Sequence, residues 1–336
     1  MKFSVGSFKR YWVALLIIFL FVAPLLVITN PFYLHIIIMM CINIMMSASM
    51  WLLATTGLIS FGQAGFMFIG AMTSTLLVKE LGWPFWVCIP LAGIVPALVS
   101  IPVGRLCIRI KGVYFFLVTM AFGELVRGIF AYFRTPFGGW YGIRHIPPPE
   151  PHSLFGPLNK VPFYYLGVVL TLLTCWVIYR ISRSRIGMTL WSIRESDMLA
   201  DSIGVNVKKY KLQAFVIAGF FAGIAGTYYA HYFCYISPLV FTFSMSLNTL
   251  IYIVVGGLWS FSGPIVGAAV LTLVPEFFRA TGVYQMLIFG LILVFTMLFI
   301  PRGIMGLLGE RVFPLLRQKG ERTKLADSIL PRKGKI

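Results

Sequence analysis

Polar side chains are scarce in this chain of 336 residues, so each one raises a question about its chemistry. Glu124 and Arg127 stand three residues apart inside an apolar run, a spacing that puts them on one face of a helix. A lone charge in a bilayer interior costs roughly 3 kcal/mol on insertion scales, and pairing the two reduces that cost. A structural ion pair and a polar group beside a solute path both fit the pattern. Gln63 lies in a glycine-dense run and Asn248 in a later apolar one; with Glu124 they make up the candidate substrate-path residues. His35 and Asn43 read as satisfied polar groups of a helix bundle, and His231 as a histidine at headgroup level.

No constellation for catalysis accompanies them. There is no Walker A pattern, no paired His/Glu metal motif and no nucleophile elbow, and the acids are too scattered for a carboxylate dyad. Of the cysteines, Cys41, Cys88 and Cys175 fall inside apolar runs and Cys107 and Cys234 near span ends, without metal-ligand spacing; they read as buried free thiols. The chain is expected to be no enzyme and to bind no metal or cofactor.

The elements that must position these residues follow from composition. The chain is 59% hydrophobic and 11% charged, where a soluble domain carries about 25% charged residues. Too few polar groups remain to cover a water-facing surface, so the expected fold is an all-α integral membrane bundle. The net charge of +18 does not indicate nucleic-acid binding, because the basic residues lie between apolar runs and in the tail, as the positive-inside rule places them.

The apolar runs give the order of spans. Lys2, Lys9 and Arg10 precede Tyr11–Ile28, an uncleaved first span with a cytoplasmic N-terminus. Phe32–Ala54 returns inward. The run Gly57–Gly65 opens a third span ending near Val78, and its glycines suit either tight packing or a broken helix lining a cavity. Pro84–Val103, Gly112–Phe133, Pro162–Tyr179 and Leu212–Phe233 follow, with a Gly/Pro-rich external loop over 134–161 and an external segment Cys234–Ser244. Met245–Phe278 breaks at Gly256–Pro264 into two short halves, and Val283–Ile300 is the last span. The break brings the total to about ten crossings, with about eight as the alternative, and places both termini in the cytoplasm. Residues 1–308 form the membrane domain and 309–336 a basic cytoplasmic tail.

Residues 180–211 interrupt the apolar pattern with seven Lys/Arg and three acids. Apolar residues are interleaved with the charge, so the segment reads as a folded cytoplasmic platform rather than a linker. Leu190, Trp191, Ile193, Met198, Leu199 and Ile203 suit a partner's groove, with Arg194, Glu195 and Asp197 at its rim. An amphipathic segment lying on the inner membrane surface is the other reading.

Several stretches resemble the membrane subunit of branched-chain amino-acid ABC importers: GLISFGQAGFMFIGA at 57–71, RIKGVYFFLVTMAFGEL at 109–125, GGWYGIRHIP at 138–147, the run from Ser182 to His231, SMSLNTLIYIVVGGLWSFSGPIVGAAV at 244–270 and PRGIMGLL at 301–308. The added N-terminal span and basic tail resemble the longer of that system's two permease types. The resemblance implies a bacterial or archaeal inner-membrane protein that moves branched-chain or related amino acids. It also implies a second permease subunit, two ATP-binding subunits that use the ATP, and a periplasmic or lipid-anchored solute-binding protein. Gly187, Leu190, Trp191, Arg194, Glu195, Asp197 and Gly204 fall in the segment that would dock on an ATPase. Two positions depart from the pattern. Met188 follows Gly187 where the family usually has Arg, and Ser60 and Gln63 stand where it often has Asn and His. Permeases for urea and short amides look similar at this level, and composition alone also admits a stand-alone ion-coupled transporter or channel.

Overall fold

The computed structural model describes residues 31–110, 112–149, 160–279, 282, 284–299 and 303–306. The expected first span, Tyr11–Ile28, and the basic tail 309–336 lie outside the described residues. Within them the chain is helical, as expected. Apolar helices run between two ends: α1 (Pro31–Ala54), α2 (Gln63–Lys79), α3 (Phe85–Cys107), α4 (Val113–Tyr132), α5 (Lys160–Ser182), α8 (Val207–Phe233), α9 (Phe243–Gly256), α10 (Ser262–Phe277) and α11 (Tyr284–Phe299). Two short helices, α6 (Arg185–Glu195) and α7 (Asp197–Ser202), lie between α5 and α8.

Small residues set how these helices pack. α8 lies against both α2 and α3. A Cβ on Gly70 of α2 would collide with the backbone of Gly223 on α8, and one on Gly226 with the Met67 carbonyl. Gly223 also abuts the Ala92 carbonyl of α3. In lipid, where apolar side chains gain little by meeting each other, such close backbone approach is a main source of helix association. α3 carries Pro90, Pro96 and Pro102 within its length, and the buried Pro96 packs against Gly219 and Gly223 of this same neighbour. Polar bonds fix the remaining contacts. The Asn43 amide of α1 donates to Thr272 Oγ1 of α10 at 2.9 Å, and the Tyr228 hydroxyl of α8 donates to the Phe163 carbonyl of α5 at 2.6 Å.

Two breaks interrupt the pattern. After α1, the Thr55 and Thr56 hydroxyls turn back to the Leu52 and Leu53 carbonyls, and Gly57 takes φ +79°. α2 resumes at Gln63. The second break separates α9 from α10 where the Gly256–Pro264 run predicts it, with Gly257 at φ +116°. α9 has 14 residues, about 21 Å of helix against a hydrocarbon core of about 30 Å. In the segment 234–244 that precedes it, Leu239 and Val240 are exposed while Phe241 is buried and stacked on Phe68 at 4.7 Å.

At one end, β1 (Ile143–Arg144) pairs antiparallel with β2 (Tyr235–Ile236) and ties the loop after α4 to the loop after α8. His231 is buried there, its Nδ1 donating to the Pro147 carbonyl at 2.8 Å, and it anchors this loop. At the opposite end lie α6 and α7, with Arg180, Arg183, Arg185, Lys208 and Lys209 around them.

Candidate functional site

The first break gathers polar groups from five helices. The Gln63 amide is buried and donates to Ser49 Oγ of α1 at 2.7 Å and to the Ala218 carbonyl of α8 at 3.3 Å. A helix that starts inside a membrane leaves amide N–H groups without intrahelical partners. Here side chains accept from backbone N–H groups around the start of α2: Thr119 Oγ1 of α4 from Phe61 at 3.1 Å, Ser60 Oγ from Gly62 at 3.2 Å and Ser246 Oγ of α9 from Ala64 at 3.0 Å. Ser49, Thr119 and Ser246 were not among the sequence candidates. The signal they carry is a small hydroxyl inside an apolar run, a type that bonds across membrane helices.

Glu124 and Arg127 form the expected pair, with Arg127 Nε 2.7 Å from the carboxylate and side chains 35% and 26% exposed. Arg127 also lies 5.7 Å from the Trp140 ring. Phe115, buried against the bundle, and Glu124 are nine residues apart on α4; at about 100° per residue the acid stands on the opposite face. Asn248 is exposed on α9, beside exposed Ser244 and Leu247. The three substrate-path candidates therefore separate. Gln63 is held inside the bundle, while Glu124 and Asn248 look outward from neighbouring helices.

The segment between α5 and α8 folds as two capped helices. Ser184 Oγ accepts from the Gly187 amide and Ser196 Oγ from that of Leu199. Gly187 packs on the Ser182 and Ile181 carbonyls with no room for a Cβ, which lets α6 turn sharply off α5. Leu190 and Ile193 face the bundle and are buried. Glu195 is exposed, Asp197 pairs with Lys211 at 2.7 Å, and Gly204 ends α7 at φ +84°. The most exposed apolar side chains of the segment are those of α7 and its C-cap, Met198 at 80%, Leu199 at 71% and Ile203 at 77% exposure, with Met188 of α6 exposed as well. A cleft of about 590 Å³ opens beside them, lined by Ile108, Arg109, Asp197, Asp201 and Lys208 among others.

Arg194 is turned inward. Its guanidinium carbon lies 4.2 Å from the Trp259 ring and 5.1 Å from that of Trp191, and the two indoles stack at 6.1 Å. Burial lowers its pKa from the ordinary value, against the opposing pull of the Glu195 carboxylate. Its Nη1 is buried with no hydrogen-bond partner among the described residues, and an unpaired buried donor costs about 1–3 kcal/mol.

With this geometry in place, comparison with known proteins decides the class. Residues 32–297 match the family model described as the permease component of the branched-chain amino acid transport system. The chain belongs to this family. Among curated proteins, this permease is 34% identical over 272 residues to the high-affinity branched-chain amino acid transport system permease protein LivM of Salmonella typhimurium. It is 33% identical over the same length to LivM of Escherichia coli. Each match covers 74% of this chain and 64% of the relative. A probable branched-chain amino acid transport permease protein LivH of Methanocaldococcus jannaschii is 23% identical over 288 residues, covering 78% of this chain and 87% of that one. No solved structure matches the permease. It is a multi-pass membrane protein of a transport family rather than of an enzyme family.

Proposed function

We propose that the chain is the permease subunit of an ATP-driven importer of branched-chain amino acids, working by alternating access beside a second permease subunit, with two ATPase subunits on its α6–α7 end and a solute-binding protein at the β-ribbon end. The observation that carries this reading is the exposed apolar group Met198, Leu199 and Ile203, framed by acids and bases at the Lys/Arg-rich end of a family permease. Positive residues close to span ends favour the cytoplasm, so that end is the cytoplasmic one. Large apolar side chains left in water without function carry a free-energy cost, and together they suit a protein groove.

The outward faces of α4 and α9 support a solute path. A charged pair and an asparagine on the lipid-facing side of a span are costly, whereas the same groups facing a second subunit or a wetted path are not. On this reading Glu124 and Asn248 line the path and Gln63 holds the α1–α2 break in shape.

The test is reconstitution of the chain with its neighbouring transport subunits in liposomes. ATP-dependent accumulation of leucine that stops when the binding protein is left out is the expected result. Leucine uptake by the chain alone, driven by an ion gradient, would replace this reading with a secondary transporter. ATP-driven uptake of urea instead of leucine would correct the substrate.

A further inference from the structure

The α6 helix touches both helix breaks. On one side the Arg194 backbone and Cγ lie against Gly57, where an added Cβ would meet them at 3.8 and 3.9 Å. On the other, Trp191 and Arg194 bear on Trp259, which sits in the α9–α10 break. Trp51 of α1 closes the circuit: its ring stands edge-on to Trp191 and Phe261, at 6.4 and 5.5 Å, and its Nε1 donates to the Leu258 carbonyl at 3.1 Å. Gly303 packs on the Gly257 backbone, so the stretch after α11 rests on this break as well.

We infer that Arg194 and Trp259 are positioning residues that pass movement of the docked α6–α7 unit to the α1–α2 and α9–α10 breaks, rather than contacts to the ATPase itself. The inference rests on the transport reading above. Three features argue for it. A planar cation over two indoles resists sliding apart but tolerates rotation, because the attraction depends on the face of the ring rather than on one hydrogen bond. The breaks are where helices lack their own backbone ladder, so they yield before the continuous spans do. The unpaired Nη1 means that a shifted α6 which brings it an acceptor gains stability, giving the clasp a second arrangement to move to.

The experiment uses the full importer in proteoliposomes and compares Arg194→Lys, Trp259→Leu and Trp259→Phe with the wild type. Recovery of ATPase subunits with the permease, melting temperature, ATP hydrolysis and leucine uptake are all measured. Arg194→Lys keeps the charge without the planar face, Trp259→Leu keeps bulk without the ring, and Trp259→Phe keeps a ring. The expected result is unchanged subunit recovery, melting within a few degrees, and leucine moved per ATP reduced on the order of fivefold to thirtyfold in the first two, with Trp259→Phe largely restored. The Arg194→Lys/Trp259→Leu double variant should fall no further than the worse single one. Unchanged leucine per ATP in both single variants overturns the inference. So does loss of the ATPase subunits from Arg194→Lys, which would make Arg194 a docking contact, and so does additive loss in the double variant. A wild-type assembly that moves no leucine on ATP refutes the transport reading itself and is seen before any variant is made.

Discussion

The two helix breaks solve one problem by different means. The α1–α2 break satisfies its backbone with side chains: Thr55 and Thr56 turn back on α1, while Thr119, Ser60 and Ser246 accept from backbone N–H groups around the start of α2. The α9–α10 break is built of backbone on backbone, with Gly256, Gly263, Gly267 and Gly303 leaving no space for a Cβ, and aromatic rings close over it. The first is held chiefly by hydrogen bonds between helices and the second chiefly by packing, with the Trp51 Nε1 donation to the Leu258 carbonyl added to it. A packed joint is bistable where a hydrogen-bonded one is directional, so under the proposed coupling both breaks receive the movement of α6 and the α9–α10 break is expected to shift further.

Substitutions can break that comparison. The largest effect is expected at Gly256→Leu, whose side chain would drive into the Gly263 carbonyl and the Gly267 amide. Folded protein recovered from membranes should fall to a small fraction of wild type, measured by size-exclusion yield. Ser246→Ala removes the acceptor from the Ala64 amide and should cost about 1–2 kcal/mol, read as a melting-temperature drop of several degrees in detergent. Gln63→Leu removes two donations and should cost about 0.6–1.7 kcal/mol by the same measurement. If Gly256→Leu proves milder than Ser246→Ala, the packing account of the second break is wrong. Glu124→Gln should change melting least, because its pair is partly exposed, yet should slow leucine uptake if the outward face of α4 lines the path. Uptake kinetics equal to wild type would remove Glu124 from the path.

Much of this fold is legible in the residues. The apolar runs gave α1 through α5 and α8, and the Gly256–Pro264 punctuation gave the second break where hydropathy is continuous. What stayed hidden is contact. A glycine-dense start at Gln63 signals a break, but nothing local says that Thr119 and Ser246, dozens of residues away or more, will accept the freed amides. In the central segment the interleaved pattern of Leu190, Ile193, Met198 and Leu199 announces amphipathic helices. It does not say which of them turn inward, since that depends on how sharply Gly187 lets α6 leave α5. Arg194 reads as a rim charge until Trp259, remote in sequence, is brought under it. The bond from His231 to the Pro147 carbonyl is hidden in the same way.

The most direct test of the central claim is where the ATPase subunits touch this chain. With the five native cysteines replaced by serine or alanine, one cysteine placed at Met198, exposed on α7, or at Trp140, exposed at the β-ribbon end, is treated with a short bifunctional cross-linker in the assembled complex. The account predicts that Met198→Cys is joined to an ATPase subunit, with a yield that changes when ATP is bound, and that Trp140→Cys is not. Cross-linking of the ATPase from Trp140→Cys and none from Met198→Cys would contradict it.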